Sequence, residues 1–549
     1  TAKRIDLSEG ARAALGITAS RLTPNDLISA ILSAPVDLFW NGGIGTFVKA
    51  STESHEDVAD RTNDAVRVDG KSLRCRVVAE GGNLGFTQQG RIEYAAAGGR
   101  LNTDFIDNSG GVHCSDREVN LKILLGLAET DGLIDRAERD HLVASVSEHV
   151  VKAILYGNYL QAQILSQEER HCGRRIEAFA QLLDELESEG VLDRALEGLP
   201  SSEEMHERRR TGGRLTRPEL AVLLAYSKRS LKDALVRSDL PDVPYLESEL
   251  RAYFPEPIVR RFGHLLPHHP LRRELIANMV ANDLVNSMGV TFVSRRAAQS
   301  GADPAGVARA YRCARDVTGA VERWEAVERL SGRLDLSVLT ELLEGVDWLV
   351  ATTTRWFLAR GAGPSLWEEI PRYRVGFKEL AVAVPDIGPP QWQEEHEERV
   401  EALVGQGVPE DLARRHAYQG ELVHGPDIID VSVAIGKPEL DVARVFFQIG
   451  QTAHLDRLDD LSSQVRAKSG WQRWALQSVS DDLLIVRREL AEAVLAGADG
   501  AAEAVAAFME RRQVELARFD KFMTSLEATA VDDLAQITVA IRQARTLLS

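Results

Sequence analysis

Cysteine, an excess of positive charge and long apolar runs are what this 549-residue sequence has little of. Its four cysteines, Cys75, Cys114, Cys172 and Cys313, are too widely spaced for a CxxC pair or a disulfide framework, which favours a reducing cytoplasm. Lysine and arginine number 65 against 83 acidic residues, a formal charge of −18, so we expect no nucleic acid partner. No run of about 18 apolar residues occurs, so we expect no transmembrane helix and no membrane partner.

The first residues, TAKRIDLSEGARAALG, contain neither a methionine nor the apolar core of a signal peptide. The stretch starts inside an amphipathic pattern. We therefore expect the chain to be part of a longer polypeptide.

Glycine-rich loops follow short apolar runs in the first part of the chain. Strands are predicted at 35–40 (PVDLFW) and 75–80 (CRVVAE), followed by NGGIG and GGN, and a weaker one at 102–108 (NTDFIDN), followed by SGG. ESHEDVADRTNDAVRV, between the first two, is long enough for a crossover helix. This order is typical of parallel α/β units, in which all three loops lie at one edge of the sheet, where ligands bind.

Helical patterns dominate from Ser115 onward. Ser115 with Glu118, and Thr216 with Glu219, have the spacing of capping boxes, so each pair predicts a helix start. The run at 428–436 (IIDVSVAIG) is ambiguous between strand and helix. We predict two domains, 1–165 with α/β character and 166–549 all helical, with an internal break near the Pro/Gly-rich 383–392.

The segment NSGGVHCSDREVN, residues 108–120, concentrates potentially reactive side chains. His113, Cys114 and Asp116 lack the spacing of a zinc site and the partners that would complete one, so no metal is predicted. Ser115 has no GxSxG surroundings, and as a helix N-cap it would satisfy backbone amides. Such a cap can also bind an anionic substrate, because the same amides attract a carboxylate.

The two earlier loops are each open to two interpretations. NGGIG is either a phosphate-binding turn or an ordinary tight turn, since it lacks the third glycine of GxGxxG. Asn83 could bind a ribose or carboxamide, or be a turn residue.

Together these stretches resemble the end of the catalytic region of the large bacterial NAD-dependent glutamate dehydrogenases. The resemblance is carried by VDLFWNGGIGTFVKAS and RVVAEGGNLGFTQQGRIEYAAAGGRLNTDFIDNSGGVHCSDREVNLKILL. GGRLTRPELAVLLAYSK and ANMVANDLVNSMGVTF resemble the helical C-terminal region of that class. The resemblance covers nearly the whole chain and implies α/β followed by all-α, the C-terminal part of a Rossmann-like nucleotide-binding domain plus a long helical domain.

The resemblance also implies contacts with NAD. VAEGGN aligns with the family's EGAN motif, which places Gly82 and Asn83 against the nicotinamide end of the cofactor. VDLFWNGGIG occupies the position of a strand and loop beside the nicotinamide, which implies the same for Asn41, Gly42 and Gly43. This loop differs from the Pro-Ala type of the short enzymes.

NSGGVHCS aligns with the family motif NAGGVxxS. The alignment implies that Asn108, Gly111 and Val112 line a glutamate pocket and that Ser115 binds the side-chain carboxylate of glutamate. Ser109 stands where alanine is common in the family.

The family's catalytic lysine, catalytic aspartate and GxGxxG turn have no counterpart that we recognise in residues 1–549. We expect these catalytic groups upstream of Thr1 and the isolated chain to be inactive. The implied reaction is oxidative deamination of L-glutamate to 2-oxoglutarate and ammonium with reduction of NAD, by a homo-oligomer, a tetramer. Two alternatives stay open: another amino-acid dehydrogenase, or a non-catalytic helical binding or regulatory module.

Overall fold

The computed structural model describes residues 3–361, 366–465, 470–496, 500–528 and 533–548. The chain divides into two compact units, Thr1–Ala308 and Arg309–Ser549. Every strand of the described residues lies in the first unit, whereas the second is built from helices.

The strands are two to four residues long and pair into three separate sheets. They are β1 (Ile5–Asp6), β2 (Arg21–Leu22), β3 (Leu38–Asn41), β4 (Val48–Lys49), β5 (Val68–Asp69) and β6 (Val77–Glu80). β1 pairs with β2 antiparallel, β3 with β6 parallel, and β4 with β5 parallel. Because these pairs do not join into one sheet, the expected Rossmann-like arrangement is not confirmed.

Strands β3 and β6 confirm the strands predicted at 35–40 and 75–80, with Leu38 opposite Val77 and Asn41 opposite Glu80. Alternation along β3 leaves Leu38 and Trp40 exposed and turns Phe39 toward the core. The core on this side consists of Val48, Leu73, Cys75, Val78, Phe86, Tyr94 and Leu101. The two strands therefore pack on the core with one face and leave the other open.

Two sequence predictions in this region are wrong. The expected crossover helix between β3 and β6 is a single turn, α3 (His55–Val58), accompanied by strands β4 and β5. A capping box between Ser54 and Asp57 begins that turn, and Ala59 ends it in the left-handed conformation, at φ 59°. The strand predicted at 102–108 is instead the one-turn helix α5 (Asp104–Asp107), because both Asp side chains accept hydrogen bonds from backbone amides of β6 and its following loop.

Thirteen further helices begin among the described residues of the first unit. They are α1 (Glu9–Leu15), α2 (Pro24–Leu32), α4 (Gln88–Ala96), α6 (Ser109–Thr130), α7 (Arg136–Ser145), α8 (Ser147–Ser188), α9 (Ser202–Thr211), α10 (Arg217–Arg237), α11 (Glu247–Tyr253), α12 (Glu256–Phe262), α13 (Arg272–Met288), α14 (Phe292–Ser300) and α15 (Pro304–Val317). Helix α10 begins with the predicted capping box between Thr216 and Glu219. It contacts α4, α8 and α13, which puts a helical-region motif in the same unit as the glycine loops.

The second unit is helical throughout its described residues. Its helices are α16 (Ala320–Glu328), α17 (Leu336–Ala359), α18 (Leu366–Ile387), α19 (Pro390–Gly405), α20 (Glu410–Ala417), α21 (Gly425–Ile435), α22 (Glu439–Thr452), α23 (Leu455–Gln464), α24 (Gly470–Leu495), α25 (Ala501–Arg511), α26 (Gln513–Glu527) and α27 (Leu534–Arg545). The ambiguous run at 428–436 falls in the buried helix α21. Among the described residues, no helix combines the length and the apolar character that crossing a membrane requires.

The predicted boundary at 165/166 falls inside helix α8, and the interruption predicted at 383–392 falls at the turn between α18 and α19. As a functional division of the chain, the two predicted domains stay a prediction.

Candidate functional site

The loops after β3 and β6 touch each other where the two parallel strands end. The backbone oxygen of Asn41 accepts hydrogen bonds from the amides of Gly81 at 2.8 Å and Gly82 at 3.0 Å. A Cβ on Gly82 would lie 2.5 Å from the backbone oxygen of Gly43, closer than the two backbones allow. The prediction that the glycine loops share one edge is therefore confirmed for these two, whereas the third, SGG at 109–111, is the first turn of helix α6 and not a loop.

Asn41 supports this pair of loops from beneath. Its side chain is buried, with Oδ1 accepting a hydrogen bond from the Gly43 amide at 3.3 Å. Its Nδ2 is buried without a hydrogen-bond partner among the residues that the structure describes. A buried amide donor left in this way costs free energy, so Asn41 lowers the stability of the turn that it forms.

Trp40 covers the outer side of the second loop. A Cβ on Gly81 would lie 2.4 Å from Cζ2 of the Trp40 indole, so the ring rests directly on that glycine. The same indole is 62% exposed. The loop surface is therefore bounded by an aromatic ring that solvent reaches.

Asn83 and Asn108 join the second loop to the start of α6. Nδ2 of Asn108 donates a hydrogen bond to Oδ1 of Asn83, and the pair is exposed. The family resemblance predicts a cofactor contact for Asn83 and a substrate contact for Asn108. The structure brings the two amides into direct contact.

The four predicted substrate residues lie on one face at the start of α6, because their spacing of three to four residues matches the helical repeat. They are the N-cap Asn108 and the helical residues Gly111, Val112 and Ser115. Gly111, Val112 and Ser115 are exposed, Val112 to 67%. Ser115 Oγ donates to the backbone oxygen of Val112 at 2.8 Å. The four predicted substrate residues thus form a continuous strip that begins at the Asn83–Asn108 contact.

The prediction that Ser115 is the N-cap of its helix is wrong. Helix α6 begins at Ser109, so Ser115 lies in its second turn, and Glu118 pairs with Lys122 instead of closing a capping box. The helix N-terminal amides that the sequence argument assigned to Ser115 are therefore at residues 109–111.

Helix α8 explains why α6 begins early in spite of two adjacent glycines. Asn158 on α8 donates from Nδ2 to the backbone oxygen of Ile106 at 2.6 Å and to Ser109 Oγ at 3.0 Å. Gly110 faces Ile154 of α8, whose Cγ2 would be 3.7 Å from an added Cβ. This packing fixes the first turn of α6, where glycine alone would favour a loop.

A buried ionic cluster beneath the site was not predicted from the sequence. Arg91 on α4 donates from Nε and Nη2 to the two oxygens of Glu80, at 2.6 and 2.9 Å, and lies 3.2 Å from Asp104. Burial raises the pKa of Glu80, and the hydrogen bonds and charge of Arg91 oppose that shift. Asp104 in turn accepts the amide of Leu84 at 2.8 Å. The cluster therefore fixes the loop that carries Asn83.

Asp107 connects the end of β6 to the start of α6. Its Oδ2 accepts the Glu80 amide at 2.9 Å, and its Oδ1 accepts Asn102 Nδ2 at 2.6 Å. Burial raises the pKa of Asp107, against its hydrogen bonds with Asn102 and Glu80 and the charges of Arg217 and Arg91. One sequence feature could have predicted this ionic cluster. Glu80 ends the apolar run VVAE, and a carboxylate buried at the end of a strand requires a buried cation beside it.

His113 lies on the other face of the start of α6, near Lys228 of α10. Burial lowers the pKa of His113, and the charges of Lys228 on α10 and of Arg117 lower it further. Burial lowers the pKa of Lys228 to about 7, and its Nζ donates to Gln161 Oε1 at 3.2 Å. His113 is turned away from the strip of Asn108 and Ser115, because residues two or five positions apart face different sides of a helix.

Comparison with known proteins gives matches along most of the chain. Residues 1–168 match the family model described as "Bacterial NAD-glutamate dehydrogenase, catalytic domain". Residues 212–546 match the model described as "Glutamate dehydrogenase, C-terminal".

Three curated relatives carry the name NAD-specific glutamate dehydrogenase. The one from Pseudomonas aeruginosa is 38% identical over 547 residues, 99% of this chain and 34% of the relative. Those from Halomonas elongata and Mycobacterium tuberculosis are 39% and 34% identical, over 91% and 99% of this chain and 31% and 34% of the relative. The chain thus spans about a third of the length of the curated relatives it matches.

Proposed function

The chain belongs to the bacterial NAD-specific glutamate dehydrogenase family, and from this membership we propose that it forms part of a site for the oxidative deamination of L-glutamate. The products are 2-oxoglutarate and ammonium, with reduction of NAD. The observation that carries the proposal is the contact between Asn83 and Asn108, which joins the predicted cofactor residues to the predicted substrate residues.

The cofactor side consists of Asn41, Gly42, Gly43, Gly82 and Asn83. NAD, when bound, supplies the acceptor for the hydride that leaves the α-carbon of glutamate. The residues present fit such a group, because open space lies above Gly43 and the Asn83 amide is exposed. Asn83 would donate to or accept from a carboxamide, while Asn41 holds the loops in place from below.

The substrate side is the strip of Asn108, Gly111, Val112 and Ser115. The Ser115 hydroxyl donates to the Val112 oxygen, so binding a carboxylate requires rotation of its side chain away from that oxygen. The exchange is favourable, because a hydrogen bond to a charged group contributes roughly 1.5–3 kcal/mol, more than a neutral one. Ser115 would then orient the far end of glutamate, and Gly111 leaves room beside it.

Proton transfer falls to groups other than these nine residues, since none of their side chains titrates near neutral pH. The family's lysine and aspartate remain our prediction for that role. We expect no NADH formation when this chain is assayed by itself with glutamate and NAD. Turnover by the chain alone would contradict that division of roles.

The direct test of the site is equilibrium binding of NADH and 2-oxoglutarate to the chain. We expect Asn83→Ala to weaken NADH binding more than 2-oxoglutarate binding. Asn108→Ala should weaken 2-oxoglutarate binding more than NADH binding. In each case the larger effect should be roughly tenfold, for one lost hydrogen bond. Asn25→Ala, at an exposed position on α2, is the matched control. Unchanged dissociation constants for both site variants would overturn the proposal.

The wider assignments rest on the family alone. We propose that the enzyme acts in the cytoplasm, that it works as a homo-oligomer, a tetramer, and that residues 166–549 serve regulation or assembly. We also propose that β3 and β6 belong to a Rossmann-like sheet. Light scattering of the purified protein tests the tetramer directly.

A further inference from the structure

Arg217, at the first turn of α10, bonds to three residues on two separate segments. Its Nε donates to Asn102 Oδ1 at 2.6 Å, its Nη2 to the backbone oxygen of Ala162 at 2.8 Å, and its Nη1 to Ser166 Oγ at 3.0 Å. Ala162 and Ser166 lie on α8, whereas Asn102 precedes α5. The rigid guanidinium thus fixes the Asn102 side chain against a pair of packed helices.

Asn102 links Arg217 to the candidate site through a second hydrogen bond, to Asp107. Because its Oδ1 accepts from Arg217, its Nδ2 is the atom that donates to Asp107. Asp107 then holds the Glu80 amide with its other oxygen, and Asn108 follows it directly in the chain. An unbroken series of hydrogen bonds therefore runs from α10 to the end of β6, and the backbone of Asp107 connects it to Asn108 at the start of α6.

We propose that Arg217 is a positioning residue of the dehydrogenase site, which sets the spacing between the loop of Asn83 and the Asn108 end of α6 through Asn102 and Asp107. The proposal rests on the proposed function and adds a residue from the helical region to it. Arg217 orients groups that hold the site and does not itself reach the ligands.

Electrostatics gives this role a distinctive pH dependence. The charges of Arg217 on α10 and Arg91 on α4 act on Asp107. Glu80 on β6 interacts with both Asp107 and Asp104 on α5, and Arg217 is also paired with Glu169 of α8 at 3.4 Å. Removing Arg217 removes a positive charge beside a half-buried carboxylate whose pKa burial already raises, so Asp107 takes up a proton at higher pH. A protonated Asp107 is a weaker acceptor for the Glu80 amide.

The test is hydrogen–deuterium exchange of the amides at 78–85 in the unliganded chain, as protection factors across acid to neutral pH. We expect Arg217→Met to lower protection at the Glu80 amide by roughly three- to tenfold, the equivalent of one hydrogen bond. We also expect the loss of protection on the acid side to move to higher pH. Arg217→Lys keeps the positive charge but loses the planar guanidinium with its several donors. It should therefore lower protection of the Glu80 amide without changing the pH at which protection is lost in acid.

Arg139→Met is the matched control, since Arg139 and Arg217 are both 16% exposed in their side chains and each pairs with one glutamate of a neighbouring helix. Arg139 bonds Glu129, near the far end of α6. Asn102→Ala breaks the same series of bonds with a smaller change and replaces Arg217→Met if that variant does not fold.

Exchange in Arg217→Met or Asn102→Ala that matches Arg139→Met, with no change in the pH at which protection is lost in acid, would overturn the positioning role. Because exchange is measured without ligand, this result is distinct from failure of the proposed function. The latter would show as no binding of NADH or 2-oxoglutarate by the unsubstituted chain.

Discussion

Arg91 and Glu80 form a bidentate ion pair in which the side chains are 6% and 1% exposed. Both oxygens of Glu80 are bonded by the guanidinium, and the same arginine approaches Asp104. The pair lies directly below the loop of Asn83, so the stability of the unit and the shape of the candidate site depend on the same residues.

Replacement of Arg91 by methionine leaves Glu80 and Asp104 buried without their cation. We expect the free energy of unfolding to fall by about 3–5 kcal/mol, the usual cost of breaking a buried pair from one side. Urea denaturation followed by circular dichroism measures the change. Arg76→Met removes an exposed pair with Asp37 and should change stability by less than about 1 kcal/mol. Equal effects of the two variants would show that the buried pair has no special weight.

Ser115→Ala tests the carboxylate contact. We expect the dissociation constant for 2-oxoglutarate to rise by at least tenfold, since roughly 1.5–3 kcal/mol of charge-assisted hydrogen bonding is lost, while that for NADH stays within about twofold. In an active form of the enzyme, KM for glutamate should rise much more than KM for NAD. The control is Ser145→Ala, because Ser145 Oγ also donates to a backbone oxygen three residues earlier at 2.8 Å. Identical ligand binding by the two variants would remove Ser115 from the pocket.

Gly111→Ala separates folding from binding. Gly111 is helical and nothing lies within 4 Å of an added Cβ, so alanine should raise the free energy of unfolding by about 0.5–1 kcal/mol. If Gly111 lines the pocket, the same methyl group should weaken 2-oxoglutarate binding. Gly126→Ala, in the same helix and equally open, should give the stability gain alone. Unweakened binding in Gly111→Ala would place the pocket elsewhere.

Lys228 makes stability depend on pH. Burial lowers its folded pKa to about 7 from 10.5, so between those values the unfolded chain binds a proton that the folded chain does not. The cost of burying the ammonium is full below pH 7 and disappears as pH rises toward 10.5. We therefore expect the stability of the unsubstituted chain, relative to Lys228→Met, to increase from pH 7 to pH 10 in urea titrations. Lys232→Met, one turn later and half-buried, is the comparison variant, and a flat difference for Lys228→Met would contradict the shift.

The sequence predicted the parts of the site that depend on local patterns. Apolar runs that end in glycines located β3, β6 and their touching loops, because strand formation and tight turns are specified by neighbouring residues. The start of α6 was predicted wrongly, since it depends on Asn158, far along the chain on α8. The bond from Arg217 to Asn102 joins residues 115 positions apart, and no spacing rule in one sequence reveals such a contact.

The exposed indole of Trp40, resting on Gly81, gives the protein an optical reporter at its candidate site. The sequence contains eight tryptophans, so the difference in emission between the unsubstituted chain and Trp40→Phe isolates this one. A ligand that binds over the two glycine loops and covers the indole would exclude water from the ring and move that emission to shorter wavelength. Occupancy of the loops can thus be followed by fluorescence titration without a label.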